Sequence, residues 1–263
     1  MTKFKQQSTD HSMTRSMALN VTAWTEASVK AYGISTSTTD SIWWRQPGGP
    51  GIYLNASTIS DHMSDDELAA GLNRVVEDWQ PSGFGLYDCW ASRDLTPLGF
   101  EKVMQSPWYM RPSGPISEVN PPDGLTIDLV KTADQLALFE EASRLGFGDR
   151  DLPDPEWESF TQHSPATLAN PHMDYIIGWF DGKVVTSVIV HATEDMLGIY
   201  GLSTLPQYRR RGFAAALVHA AVALRPELST CVHPDPPSVP IYTRIGFESA
   251  GDLAMWRMND RER

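Results

Sequence analysis

In the carboxy-terminal half of the chain, apolar and polar positions change period several times. Residues 125–130 alternate, which is the two-residue period of a half-buried strand, and residues 133–145 then carry apolar side chains at helical spacing. Two strand-like runs, 175–180 and 183–191, are joined by Asp181-Gly182, a dipeptide that favours positive φ and predicts an antiparallel hairpin. A strand over 197–205, an Ala-rich helix over 212–224, a strand over 228–232, a short helix over 239–245 and a closing strand complete the pattern.

The amino-terminal half has a similar order. A helix is expected over 17–32, a strand over 51–58, an amphipathic helix over 65–80 and a strand over 83–90. A weak internal repeat relates the ends of the two halves. Leu95-Thr96-Pro97-Leu98-Gly99-Phe100-Glu101 precedes Trp108-Tyr109-Met110-Arg111, and Tyr242-Thr243-Arg244-Ile245-Gly246-Phe247-Glu248 precedes Met255-Trp256-Arg257-Met258. Each reads as a short helix, a glycine stop and a closing strand.

Between the halves, residues 112–124 hold four Pro and two Gly, which suits neither a helix nor a central strand. The expected organisation is therefore a disordered polar tail over 1–16, a first domain over 17–111, a linker over 112–124 and a second domain over 125–263. The fold class is α/β, with a mixed, largely antiparallel, hairpin-led sheet flanked by helices.

Composition narrows the function classes. With 41% hydrophobic residues and nine Trp the chain can bury a real core; Trp43, Trp44, Trp79 and Trp90 are assigned to it. No run reaches the roughly 18 apolar residues of a membrane helix, and the start lacks the apolar core of a secretory signal, so the expected location is the cytoplasm. Cys89 and Cys231 are far apart, no His pair has ligand spacing, and neither a disulfide nor a metal site is expected. A formal net charge of −12 argues against nucleic acid and anionic membranes as partners and favours a cationic one.

The segment that carries chemistry is Thr204-Leu-Pro-Gln-Tyr-Arg209-Arg210-Arg211-Gly212-Phe213-Ala214-Ala215, a strand running into a helix. A helix amino terminus bears about half a positive charge and disfavours cations by several tenths of a kcal/mol each, so three Arg there call for an anion. Gly212 lets a ligand approach the backbone, and the N–H groups of the first turn can receive phosphate oxygens. Taken alone, the three Arg also fit an exposed solubilising cluster. Neither a P-loop nor a dinucleotide-binding glycine pattern is present.

The strand plus Arg209-x-x-Gly212-x-Ala214 resembles the acetyl-CoA motif of GNAT acetyltransferases, in which Arg or Gln is followed by x-x-Gly-x-Gly/Ala. Asp235-Pro-Pro-Ser238-Val-Pro-Ile241-Tyr242-Thr-Arg-Ile-Gly246-Phe247 is similar to a second segment of that family, and the resemblance covers about residues 125–258. It implies a V-shaped opening between the strands ending near Thr204 and Val232. Main-chain groups of Leu202, Ser203 and Thr204 would hold pantetheine there, Arg209 to Ala215 the pyrophosphate, and Asp235 and Ser238 the cofactor arm. Tyr242 would protonate the departing thiolate as the catalytic residue, and the acidic loop 149–158 would line the acceptor site.

The implied activity is acetyl transfer from acetyl-CoA to a primary amine of a small molecule or protein. The alternatives are a catalytically silent acyl-CoA-binding module and transfer of a longer acyl group. Two departures from the family stand out: Asp235 replaces the usual Asn, and no Glu lies within 197–205. A water chain through Tyr200, Ser203 or His233 would then handle the amine proton. The first half lacks both motifs, resembles a degenerate GNAT copy, and is expected to bind no acetyl-CoA.

Overall fold

The computed structural model describes residues 2–51, 54–79, 83–117, 120–147 and 162–258, with side chains from residue 12 onward. Its residues cluster into two units, Met1–Trp108 with Ser249–Arg263, and Tyr109–Glu248.

The first unit opens with α1 (Thr2–Lys30). The polar start expected to be disordered is thus helical from Thr2, which is consistent with a stretch that contains neither Gly nor Pro up to residue 30. Strands β1 (Thr36–Thr38), β2 (Ile42–Arg45) and β3 (Ala56–Thr58) follow, then α2 (Asp65–Trp79), β4 (Phe84–Asp88) and the start of β5 (Glu101–Arg111); the last strand, β11 (Glu248–Met258), returns to this unit. Sheet order is β1-β2-β3-β4-β11-β5, with β3 and β4 parallel. Leu68, Leu72, Val75, Val76 and Trp79 recur at helical spacing and bury one face of α2 against Ile42, Trp44, Leu86 and Trp256. Gly71 permits the approach, since a Cβ there would lie 2.7 Å from Ile42.

In the second unit come the end of β5, then β6 (Thr126–Leu129), α3 (Ala133–Phe147), β7 (Met173–Phe180) and β8 (Lys183–Ala192). They are followed by β9 (Met196–Thr204), α4 (Phe213–Ala223), β10 (Ser229–Val232) and α5 (Val239–Thr243). The order is β5-β10-β9-β8-β7-β6; β9 and β10 are parallel and the other pairs antiparallel. The expected hairpin joins β7 to β8, with φ of 51° at Asp181 and 72° at Gly182. Leu217, Val218, Ala221 and Val222 of α4 cover the sheet face carrying Ile176, Val188, Val190, Leu197 and Ile199.

Two expectations of organisation differ from what is observed. Residues 112–117 and 120–124 lie within the second unit. The Arg111 guanidinium holds the Pro112, Gly114 and Pro115 carbonyls, Gly114 N–H donates to Pro226 O at 2.8 Å, and Ser113 N–H donates to Ser229 Oγ at 3.3 Å. The closing strand, placed by sequence in the second domain, instead pairs antiparallel with β4, from Ala254–Asp88 to Met258–Phe84, and buries Trp256 in the first unit's core. The repeat itself is visible bond for bond. Leu98 and Gly99 N–H donate to Leu95 and Thr96 O, as Ile245 and Gly246 N–H do to Tyr242 and Thr243 O. Gly99 and Gly246 then turn with φ of 87° and 90°. The mostly antiparallel, helix-flanked α/β architecture is the one the sequence predicts. Among the described residues no helix is long and apolar enough to cross a membrane.

Candidate active site

The site is built where β9 and β10 part. Their parallel pairing runs over Ser229–Met196, Thr230–Leu197 and Cys231–Gly198 and stops there, while β9 continues to Thr204. A bulge accompanies the parting: between Ser187–Ser203 and Ile189–Tyr200, Gly201 and Leu202 face Val188 alone, and Gly201 takes a φ of 58°. A bulge bends its strand and increases the local twist, and this one lies just past the last residue of β9 that pairs with β10.

Beyond the bulge the register assigns each main-chain group a direction. Leu205 N–H donates to Val185 O at 2.9 Å. Antiparallel pairs alternate between bonded and non-bonded, so Thr204, opposite Thr186, turns its N–H and C=O away from β8, and Ser203, opposite Ser187, turns its own towards it. The Ser203 carbonyl also accepts the Thr186 hydroxyl at 2.7 Å, and Ser203 Oγ lies 2.8 Å from Ser187 Oγ. Of the three positions expected to hold pantetheine, Thr204 therefore offers main-chain groups to the opening, Leu202 sits in the bulge, and Ser203 is engaged with β8.

After Thr204 a short turn over Pro206–Tyr208 leads to the three Arg, and α4 starts at Phe213. Arg210, at φ 65°, and the N-cap Gly212, at φ 85°, are both left-handed. Alternation of left- and right-handed residues ahead of a helix curves successive N–H groups around an anion. No side chain caps α4; its first backbone bond runs from Ala216 N–H to Gly212 O at 3.0 Å, which leaves the N–H groups of Phe213, Ala214 and Ala215 without a partner inside the helix. The Phe213 ring is an anchor, buried with Leu125, Val185, Leu205 and Ala216, so of the groups expected from this residue at the site only the N–H is not taken up by the core.

The Arg side chains serve different ends. Arg209 donates to the Thr204 carbonyl at 3.1 Å and to the Gly146 carbonyl at 2.9 Å. Arg211 lies over Phe180 at 4.3 Å and within 5.8 Å of the Tyr208 and Phe213 ring centroids, a cation–π arrangement. Arg210 is exposed. Residues that single-sequence reasoning missed are Thr186, Ser187 and Gly146, which reveal themselves only through strand register and helix placement.

On the other side of the opening, Asp235 is exposed and its carbonyl accepts Ser238 Oγ at 2.8 Å, leading into the five residues of α5, shorter than the helix expected over 239–245. Tyr242 is 2% exposed and belongs to the cluster that includes Ile199 and Val232, where the strands part; Phe247 meets its ring edge-on at 5.4 Å. Burial raises its phenol well above the ordinary value. Burial also lowers His233 to about 4, which makes it a neutral, weak base at pH 7. The acidic loop 149–158 falls outside the described residues. Among the described residues no group of three or more His, Cys, Asp or Glu is placed to hold a metal ion.

Residues 136–247 match the model of the acetyltransferase (GNAT) family. A GCN5-related N-acetyltransferase from Kribbella flavida aligns with a TM-score of 0.66 at 16% identity, over 92% of this chain and 96% of its own. A conserved protein of unknown function from Staphylococcus epidermidis gives 0.65 at 11% identity, over 86% and 93%. A GNAT-family protein from Novosphingobium aromaticivorans gives 0.57 at 15%, over 93% and 99%. At such identities the likeness is one of fold. No curated protein matches the sequence.

Proposed function

We propose, from the match of residues 136–247 to the acetyltransferase (GNAT) family, that the chain moves an acetyl group from acetyl-CoA to a primary amine of a small molecule or protein by direct attack on the thioester. The observation that carries this reading is the uncapped start of α4, with left-handed Arg210 and Gly212, at the end of a strand that has parted from its neighbour. Diphosphate oxygens fit the free first-turn N–H groups, and a linear amide-bearing arm fits the main-chain groups that Thr204 turns from β8, as an added strand would. Gly212 keeps the approach open.

Tyr242 is the proton donor in this reading. Its raised pKa keeps it protonated across the working range and makes full transfer to a thiolate of pKa about 8.5 more uphill than for an exposed phenol. Its contribution is thus a donated hydrogen bond that becomes proton transfer as the thiolate leaves. On the acceptor side, His233 is too weak a base to deprotonate an ammonium, and Ser203 Oγ is already paired with Ser187. The ammonium loses one proton to solvent before attack; a second leaves the attacking nitrogen as the C–N bond forms and, through solvent, restores Tyr242 once it has protonated the departing thiolate, and kcat/KM rises with pH through the acceptor's own pKa.

The test is release of free CoA from acetyl-CoA against a panel of polyamines, aminoglycosides, amino acids and lysine peptides. Turnover with at least one amine is expected. Tight CoA binding without turnover on any amine would favour a silent binding module, and preference for longer acyl-CoA donors would redefine the donor.

A further inference from the structure

Three Arg beside a helix start invite one common role, yet their surroundings in this structure differ. Arg209 uses Nε on the carbonyl of Thr204 and Nη2 on the carbonyl of Gly146. The first is the last residue of β9; the second lies in the final turn of α3, where carbonyls have no partner within the helix and the dipole is negative. A planar fork suits two carbonyls at fixed separation, whereas an ammonium would satisfy one at a time.

Gly146 makes the reach feasible. A Cβ at that position would lie 2.8 Å from both Cβ and Oγ of Ser203 and 3.2 Å from the Thr204 nitrogen, so any larger residue forces α3 off the strand. One turn earlier the Ser203 hydroxyl reaches the Ala142 carbonyl at 3.5 Å, so the carboxy-terminal part of α3 lies along the end of β9.

We infer that Arg209 is a positioning residue for the pantetheine arm and not a ligand of the diphosphate: its guanidinium straps the last turn of α3 to the end of β9 and holds the Thr204 peptide in the orientation the arm pairs with. This rests on the acetyl-CoA reading of the site. Arg210 and the first-turn N–H groups are left to meet the anion, and Gly146 is the second part of the strap.

Two probes separate the roles. CoA carries the phosphates and the arm; pantetheine carries the arm alone. Affinities for CoA by calorimetry at low and high salt, and for pantetheine by ligand-detected NMR, are compared for wild type, Arg209→Gln, Arg209→Lys and Gly146→Ala, with circular dichroism to verify folding. Both Arg209 variants weaken CoA and pantetheine by the same factor, about tenfold, and leave the salt dependence of CoA binding as in wild type. Gly146→Ala gives the same signature, and combining it with Arg209→Gln adds little, because both release one strap.

A loss confined to CoA, restored by Lys and accompanied by a flatter salt dependence, would make Arg209 a phosphate contact and overturn the inference. Unchanged affinity for both probes in Arg209→Gln, or no pantetheine binding by a wild type that binds CoA, would overturn it as well. A wild type that binds neither probe would remove the acetyl-CoA reading itself.

Discussion

Helices α2 and α4 each follow a strand and lead into a second strand parallel to the first, yet their amino termini are finished in opposite ways. Ahead of α2, Ser64 Oγ accepts the Glu67 N–H at 3.2 Å while Glu67 Oε2 accepts the Ser64 N–H at 2.7 Å, a reciprocal cap, and Asp65 and Asp66 add negative charge to the first turn. Ahead of α4 stands Gly212 with no side-chain cap and no acid in the first turn. The strands differ in the same sense. Beyond the paired Ser57 and Tyr87, the Thr58 hydroxyl accepts the Cys89 N–H at 3.0 Å and donates to Tyr87 O at 3.4 Å, which closes the gap between β3 and β4. Between β9 and β10 the pairing ends and the gap stays open. One unit answers its own helix dipole and strand edges from within; in the other, among the described residues, they are not so answered, and it is there that the proposed function places the cofactor.

The strongest way to break the comparison is to cut the chain as the sequence suggests, keeping residues 120–263. That piece lacks the end of β5, the antiparallel partner of Thr230, Cys231 and Val232, and carries β11 without β4. It is expected to show no cooperative unfolding transition and no CoA binding, contrary to the simple view of the second half as a self-contained domain. A soluble, CoA-binding fragment with a sharp melt would show that the exchanged strands are dispensable.

Next in size is a transplant of the α2 solution onto α4. Ala215 occupies the position in α4 that Glu67 holds in α2, three residues after the N-cap. Ala215→Glu places a carboxylate where the diphosphate is expected, and like charges about 4 Å apart at a protein surface repel by up to about 4 kcal/mol. CoA affinity by calorimetry should fall on the order of 100-fold or more, with the melting temperature unchanged or raised. Retained affinity would mean that the start of α4 is not the anion site.

Tyr242 and Leu95 stand at matching places of the internal repeat, with the same backbone bonds around them, and only one has a hydroxyl. Tyr242→Phe makes the second unit like the first at this point. Positioned acids contribute about 10²–10⁴ in rate, and the raised phenol pKa puts the expected loss in kcat near the lower end, about 100-fold, with CoA affinity little changed. The same raised pKa predicts no loss of activity from Tyr242 ionisation below about pH 10. Near-wild-type kcat in the variant, under conditions where chemistry limits the rate, would assign the ring to packing and the proton to another donor.

Local features were readable from the sequence and distant partnerships were not. Asp181-Gly182, the glycine stops at Gly99 and Gly246 and the Gly212 turn depend on backbone freedom at single positions, which residue type reveals directly. The destination of β11 depends on which strand edge, far away in sequence, accepts it, and its apolar alternation suits either unit. Strands β1 and β2, three and four residues long, are too short to show a period. The turn at Gly212 was legible as a motif, whereas the different contacts of the Arg side chains were not, because they follow from where the Gly146 carbonyl and the Phe180 ring arrive in three dimensions. Strand register likewise decides that Ser203 faces β8 and Thr204 does not.

The smallest expected effect tests the closed side of the comparison. If the cap of α2 serves only the first unit's stability, Ser64→Ala should cost about 1 kcal/mol, the usual consequence of losing an N-cap oxygen, and leave CoA binding and turnover untouched. Glu67 supplies a pH signature. Hydrogen bonds from the Ser64 N–H and then the Ser64 hydroxyl hold its carboxyl below the ordinary Glu value. A depressed folded-state pKa means that the folded form binds its proton less readily than the unfolded chain. The associated stability is therefore present above the unfolded value of about 4.3 and is lost as pH falls through the folded one. Denaturant unfolding of wild type and Ser64→Ala should thus differ at pH 7, and the difference should narrow without vanishing in the acid range: the Ser64 N–H bond to Glu67 survives in the variant, the hydroxyl's bond to the Glu67 carboxylate is the part that depends on its charge, and the Oγ bond with the Glu67 N–H does not titrate. A gap of the same size at pH 7 and in acid would assign the cap's contribution to the bond between Ser64 Oγ and the Glu67 N–H alone, and a loss of CoA affinity in this variant would show that the two helix starts are not the independent solutions that their chemistry describes.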